Sequence, residues 1–279
     1  MKLVNFALRS NPNVVRFGRV IDDRCFDLSH ANHGSSLDEV LHHPGGLDPI
    51  LAGRGESYAM TDVILNAPIL CPQKLIGIGF NYRDHAEETK TPLPKEPLFF
   101  AMFASAITGP GDPIVKPAVT EMLDYEAELA VVIGKRGRHV PVDRALDHVA
   151  GYTIFNDVSA RNFQATDSQW LRVKSFDSFA PMGPWMVTRD ELGDGSGLQI
   201  QCRVNGELRQ DSNTKHLIFN VPTIVSYISG VMTLEPGDVI ATGTPSGVGF
   251  AMNPQVFLKP GDVVEVSIEK IGVLRNPVV

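Results

Sequence analysis

Residues 121–133, Glu-Met-Leu-Asp-Tyr-Glu-Ala-Glu-Leu-Ala-Val-Val-Ile, constrain this chain more than any other stretch. Ala127–Ile133 reads as one of several dense apolar strands that glycine and proline interrupt. If it is a strand, Glu126 and Glu128 point to one face, because side chains alternate with a period of two. Two carboxylates facing one way beside an apolar continuation repel and resist ionisation unless a cation lies between them. A hard cation that takes oxygen ligands, Mg²⁺, Mn²⁺ or Ca²⁺, meets that need. The alternative is an edge strand with solvated acids leading into a buried segment.

Further strands are expected at Leu75–Phe80, Gly151–Phe155 and Leu198–Val204, the last followed by the hairpin turn Asn205-Gly206. Two similar tail pieces, 234–240 and 258–264, each set a Pro-Gly turn before a β-branched strand. Helices are few. Val142–His148 and Thr223–Met232 are the best candidates, the second with Pro222 near its first turn, and Ser36 is placed to cap a turn over Leu37–Leu41. The helices do not alternate regularly with the strands, and no GxGxxG follows a first strand, which excludes a doubly wound nucleotide-binding sheet. The expected fold is mixed, strand-rich α+β. Residues 1–70 read as a small N-terminal unit with a proline-rich linker, the stretch 42–55 as surface connection, and 71–279 as the main domain.

Composition narrows the function. A formal charge of −7 gives no broad attraction to nucleic acid or to an anionic membrane. No apolar run approaches the roughly 20 residues that span a bilayer, and charges fall where a signal peptide needs its apolar block. The expectation is a cytoplasmic protein with neither nucleic-acid nor membrane partners. Cys25, Cys71 and Cys202 are scattered and form no CxxC, and no HExxH occurs, so any metal ligands should be oxygens.

Asp157 supplies a third carboxylate where an apolar strand ends, although spacing alone cannot place it beside Glu126, and it could equally cap a helix from Val158. Lys174 is a candidate for receiving an anionic substrate, or else a surface lysine. The turn Gly243–Gly249 offers backbone N–H groups and the Thr244 hydroxyl, which can cradle a carboxylate or form a tight connection. His85 and Glu88, three apart, share one side of a helical turn, and a carboxylate holding a histidine improves it as a base. The alternative is a solvated polar turn, ahead of a proline-punctuated stretch over 89–97 that resembles a flap.

Eight ordered blocks then carry a family resemblance. They are GIGFNYRDHAEE (77–88), PKEPLFF (94–100), GPGDPI (109–114), DYEAELAVVIGK (124–135), GYTIFNDVSAR (151–161), QW with KSFDSFAPMGP (169–184), NGELRQ (205–210) and GDVIATGTPSGVG (237–249). From about Lys74 onward the chain resembles the fumarylacetoacetate hydrolase family. The resemblance implies a β-roll catalytic domain with a small N-terminal domain, usually as a homodimer. It also implies Mg²⁺ or Mn²⁺, with Ca²⁺ able to stand in for either in a crystal, bound at Glu126, Glu128 and Asp157. It matches His85 and Glu88 to flap residues, Lys174 to a substrate-anchoring lysine and Thr244 to a carboxylate contact, with Gln164 lining the same pocket. One departure is Met102, where many small members carry lysine.

The family's common substrate is a 2-oxo acid whose carboxylate and oxo oxygens chelate the metal, which eases enolate formation at C3. Water attack at a C4 carbonyl then gives C–C hydrolysis of an acylpyruvate or fumarylpyruvate. This reading ranks first because the His85–Glu88 pair suggests an activated water. Isomerisation of the 2-hydroxyhepta-2,4-diene-1,7-dioate type, or decarboxylation or tautomerisation of oxaloacetate, ranks second. A noncatalytic organic-acid-binding protein is the reading from a different class, and a missing carboxylate would favour it.

Overall fold

The apolar runs between glycine and proline turns become strands in the computed structural model, which describes residues 1–29, 34–43, 46–47 and 55–279. The N-terminal part supplies β1 (Lys2–Leu8), β2 (Asn11–Ile21), β3 (Arg24–Asp27), helix α1 (Leu37–His42), β4 (Ser57–Ala59) and β5 (Val63–Leu65). Ser36 caps α1 as expected, its hydroxyl accepting from Glu39 N. Much of the connection expected over 42–55 lies outside the described residues. Then come β6 (Leu75–Gly79), α2 (Arg83–Glu88), β7 (Leu98–Met102), β8 (Ile107–Thr108), β9 (Leu123–Asp124) and β10 (Ala127–Ile133). A 3₁₀ segment at Val142–His148 leads into β11 (Val149–Asn156), β12 (Ser159–Ala160), α3 (Leu171–Lys174), β13 (Ala180–Thr188) and α4 (Arg189–Leu192). The chain ends with β14 (Gln199–Val204), β15 (Glu207–Asn213), α5 (Val221–Val231), β16 (Val239–Ala241), β17 (Val263–Ile268) and β18 (Gly272–Pro277).

Among the described residues the main sheet has twelve strands, with a path β4-β3-β2-β1-β13-β11-β10-β16-β6-β7. Its middle is buried on both faces. Every residue of β10 is buried, which is why that strand is a continuous apolar run instead of an alternating one. A four-stranded sheet, β15-β14-β17-β18, packs against β10 and β11. In β14 and β17 buried residues alternate with less buried ones, the pattern of a sheet covered on one side. Asn205 and Gly206 both have positive φ, 53° and 81°, as a two-residue hairpin turn requires. Pro222 sits in the first turn of α5, capped by Asn220, and α5 packs on the 142–148 segment. The architecture is the strand-rich α+β fold expected. Among the described residues no helix is long and apolar enough to cross a membrane.

Candidate active site

The pairing of β10 with β11 does what sequence spacing could not. Ala127 lies opposite Asn156 and Glu128 opposite Phe155, and one step further Asp157 N donates to Glu126 O at 2.9 Å. Asp157 therefore stands beside Glu126 across the end of a hairpin, and it caps no helix. Strand alternation turns Glu126 and Glu128 to the same side. One oxygen from each of the three carboxylates lies within 4.8 Å of the others, and all three residues are buried.

Lys174, at the end of α3, is buried too and is no surface lysine. Its ammonium donates to Glu126 Oε2 and to Asp157 Oδ2, both at 2.7 Å. Arg161 forms a second cationic wall, with Nη2 2.6 Å from Glu126 Oε1, Nε 2.9 Å from Asp124 Oδ2 and Nη1 3.1 Å from Gln164 Oε1. Gly243 N donates to Glu128 Oε2 at 2.7 Å. The Thr244 hydroxyl donates to Ala127 O at 3.0 Å and accepts from Gln210 Nε2 at 2.8 Å. The three carboxylates, Lys174, Gln164, Thr244 and His85 all face one cavity of about 30 Å³. Glu88 stands behind His85, 3.4 Å from its Nδ1, and accepts Gly247 N at 3.0 and 3.2 Å. This ties α2 to the Gly243–Gly249 turn. Met102, by contrast, is part of the apolar core and is not among the cavity's lining residues.

Three carboxylates against two cations leave this buried cluster short of positive charge. Burial would raise the Glu126 carboxyl, but Lys174 and Arg161 outweigh it and hold Glu126 below the usual range. For Glu128, burial and then the charges of Asp157 and Glu126 push the carboxyl well up. Asp157 is raised to about 7, by burial first and Glu126 next, with Lys174 opposing. Asp157 Oδ1 is buried and lacks a hydrogen-bond partner. An unpartnered buried oxygen in an all-oxygen donor set, among carboxyls that resist ionisation, fits a hard divalent cation. Such a cation would let all three ionise.

Sequence reasoning missed Arg161, Asp124 and Gln210. Asp124 continues the period-two series of Glu126 and Glu128 and could have been found that way. It accepts from Gly249 N at 2.8 Å and Phe250 N at 3.0 Å, so it holds the glycine-rich turn as well as Arg161. Gln210 accepts Ala127 N at 2.9 Å while it holds Thr244, a role that nothing in its local sequence marks.

Residues 74–279 match the family model described as fumarylacetoacetate (FAA) hydrolase, C-terminal. Among curated relatives, the mitochondrial oxaloacetate tautomerase fahd2 of Xenopus laevis is 50% identical over 221 residues, covering 78% of this chain and 69% of its own. The solved fumarylacetoacetate hydrolase of psychrophilic Exiguobacterium antarcticum is 42% identical with a TM-score of 0.88, covering 100% of this chain and 99% of that one. The 5-carboxymethyl-2-hydroxymuconate delta-isomerase of Mycobacterium smegmatis is 38% identical with a TM-score of 0.81, again covering 100% of this chain and 99% of that one. Agreement that runs through sequence and fold alike makes this chain a member of the fumarylacetoacetate hydrolase family.

Proposed function

We propose that this protein is a divalent-metal-dependent tautomerase or isomerase of a small 2-oxo acid, with oxaloacetate as the reference substrate. The observation that carries the reading is the meeting, in one cavity, of the oxygen-ligand cluster and a single imidazole base, His85. Tautomerisation moves one proton from C3 to the C2 oxygen, and one base that keeps the proton can make both transfers. Glu126, Glu128 and Asp157 would hold Mg²⁺ or Mn²⁺, whose charge would draw electron density onto the acid's oxo and carboxylate oxygens and lower the cost of removing the C3 proton. Lys174 and Thr244 anchor the oxo-acid end, with Gln164 as a further polar wall. Glu88 orients His85 through the contact at its Nδ1. The family resemblance carries a homodimer into the same proposal.

The names of the Xenopus and Mycobacterium relatives support this reading over the C–C hydrolysis that ranked first from sequence. Hydrolysis also needs a water activated and aimed at C4. The His85–Glu88 pair and the name of the Exiguobacterium structure keep it as the second reading. The test follows the ultraviolet absorbance of enol-oxaloacetate with Mn²⁺ and with chelator, beside cleavage of acetylpyruvate. Metal-dependent enol loss should exceed cleavage, and the reverse order would sink the tautomerase reading.

A further inference from the structure

Strand β6 carries glycine at two positions where rings lie over it. A Cβ at Gly77 would come within 2.3 Å of the Phe100 ring, and one at Gly79 within 2.6 Å of the Trp170 ring. The two rings meet edge to face, 5.1 Å between centroids. Both line the cavity that holds the carboxylates, and both also line a second cavity of about 470 Å³. Phe99, Ala101, Gln169 and Leu171 form much of the remaining wall of the larger space, and among the described residues no charged side chain lines it. The rings are thus a partition between a small charged cavity and a large uncharged one.

The small cavity has room for roughly one or two waters, so an organic acid held there extends beyond it, and the larger cavity lies just behind the ring pair. The partition touches the chemistry on both sides. Lys174 Nζ lies 5.7 Å from the Phe100 ring centroid, and Lys174 N donates to Trp170 O at 3.1 Å. Phe80 meets Trp170 edge-on at 5.5 Å and stacks on His85 at 6.1 Å. Phe80 also has φ of 52°, a conformation that a bulky side chain adopts only where its surroundings enforce it.

We propose that Phe100 and Trp170 are specificity-determining residues. They form a movable partition, and the cavity behind it receives an uncharged aromatic or aliphatic group carried at C3 of a 2-oxo acid. The proposal rests on the oxo-acid reading above and extends it from small dicarboxylates to acids with an apolar tail. A second carboxylate would find no cation in the larger cavity, whereas a phenyl group would find three aromatic walls.

The test uses the full-length chain with saturating Mn²⁺ and two probes that differ by one phenyl group at C3, pyruvate and phenylpyruvate. Calorimetry should give phenylpyruvate at least a tenfold lower Kd. Ala101→Trp, which fills the larger cavity from an exposed position on β7, should bring the ratio of the two constants close to one. Independently, Trp185→Phe leaves Trp170 as the sole tryptophan, and phenylpyruvate should change its emission more than pyruvate does. Equal constants for both acids in wild type and in Ala101→Trp, with pyruvate still bound, would overturn the partition and leave the oxo-acid reading standing. Failure of both acids to bind would overturn both.

Discussion

Asp157→Asn should make the metal-free protein more stable at alkaline pH, because it removes a carboxyl that the fold charges poorly. Burial chiefly raises Asp157 from the ordinary 3.8 to about 7. The sign follows from linkage. The favourable contribution of an acid raised on folding is fully present below pH 3.8 and is lost as pH climbs through 7. At about 1.36 kcal/mol per pH decade, the loss amounts to at most about 4 kcal/mol by pH 8. Glu126 is lowered from 4.5 to about 2, so its own stabilisation is complete above 4.5, is lost as pH falls from there towards 2, and changes only at the acid edge of this window. Asparagine keeps an acceptor for Lys174 and cannot ionise. Thermal unfolding in chelator, from pH 4 to pH 8, should show the wild type losing stability that the variant keeps. The gap at pH 8 should be on the order of 10 °C for a chain of this size. Adding Mn²⁺ at pH 8 should restore the wild type and leave the variant unmoved. Parallel pH curves for the two proteins in chelator would refute the argument that the cluster is short of positive charge.

Four further outcomes are expected. Glu128→Gln should weaken Mn²⁺ binding roughly tenfold or more in a calorimetric titration, since metal affinity needs the deprotonated ligand; unchanged affinity removes Glu128 from the site. His85→Ala should slow enol–keto conversion by about 10²–10⁴ while pyruvate still binds, and a rate near that of the wild type would rule out proton transfer through His85. Lys174→Met should cut kcat/KM by roughly two orders of magnitude without weakening Mn²⁺, because the ammonium now occupies Glu126 and Asp157; weaker metal binding would make the lysine a structural support. Asp124→Ala strands the buried Arg161 guanidinium and two turn N–H groups, and should cost about 3–5 kcal/mol in urea unfolding; a loss below about 1 kcal/mol would mean that Arg161 finds another partner.

Local periodicity made the centre of the fold legible. Ala127–Ile133 reads as a strand with its boundaries, because a run buried on both faces cannot hide its apolar character. The Asn205-Gly206 turn and the capped helix α1 were legible for equally local reasons. Strand β13 was not. Pro181 and Pro184 lack the N–H that a central strand normally spends on its neighbours, and the ladder to β11 shifts register between Tyr152 and Ile154, opposite the Gly183–Val187 stretch that holds Pro184. In the site, Glu126 and Glu128 followed from a period of two, and His85 with Glu88 from a helical turn. The burial of Lys174 and the hold of Arg161 on Glu126 are tertiary facts. Short segments of either sign look solvated until packing encloses them.

The order of the strands bears on how the site assembles as the chain folds. Glu128 lies in β10, Glu126 directly precedes that strand and Asp157 directly follows β11, the two strands being antiparallel neighbours joined by one short excursion through 134–148. Their convergence closes a small loop, at little entropic cost. Phe100 faces Gly77 across the neighbouring strands β6 and β7, but Trp170 reaches Gly79 and Phe100 from far along the chain. Contacts so distant along the chain form late, because the connecting segments must first be ordered. The oxygen ligands can therefore gather before Trp170 completes the ring partition, and a cation arriving then meets an open hairpin. Refolding with Mn²⁺ present should favour that hairpin from the start, whereas the same ion added to the finished protein must enter past the assembled rings.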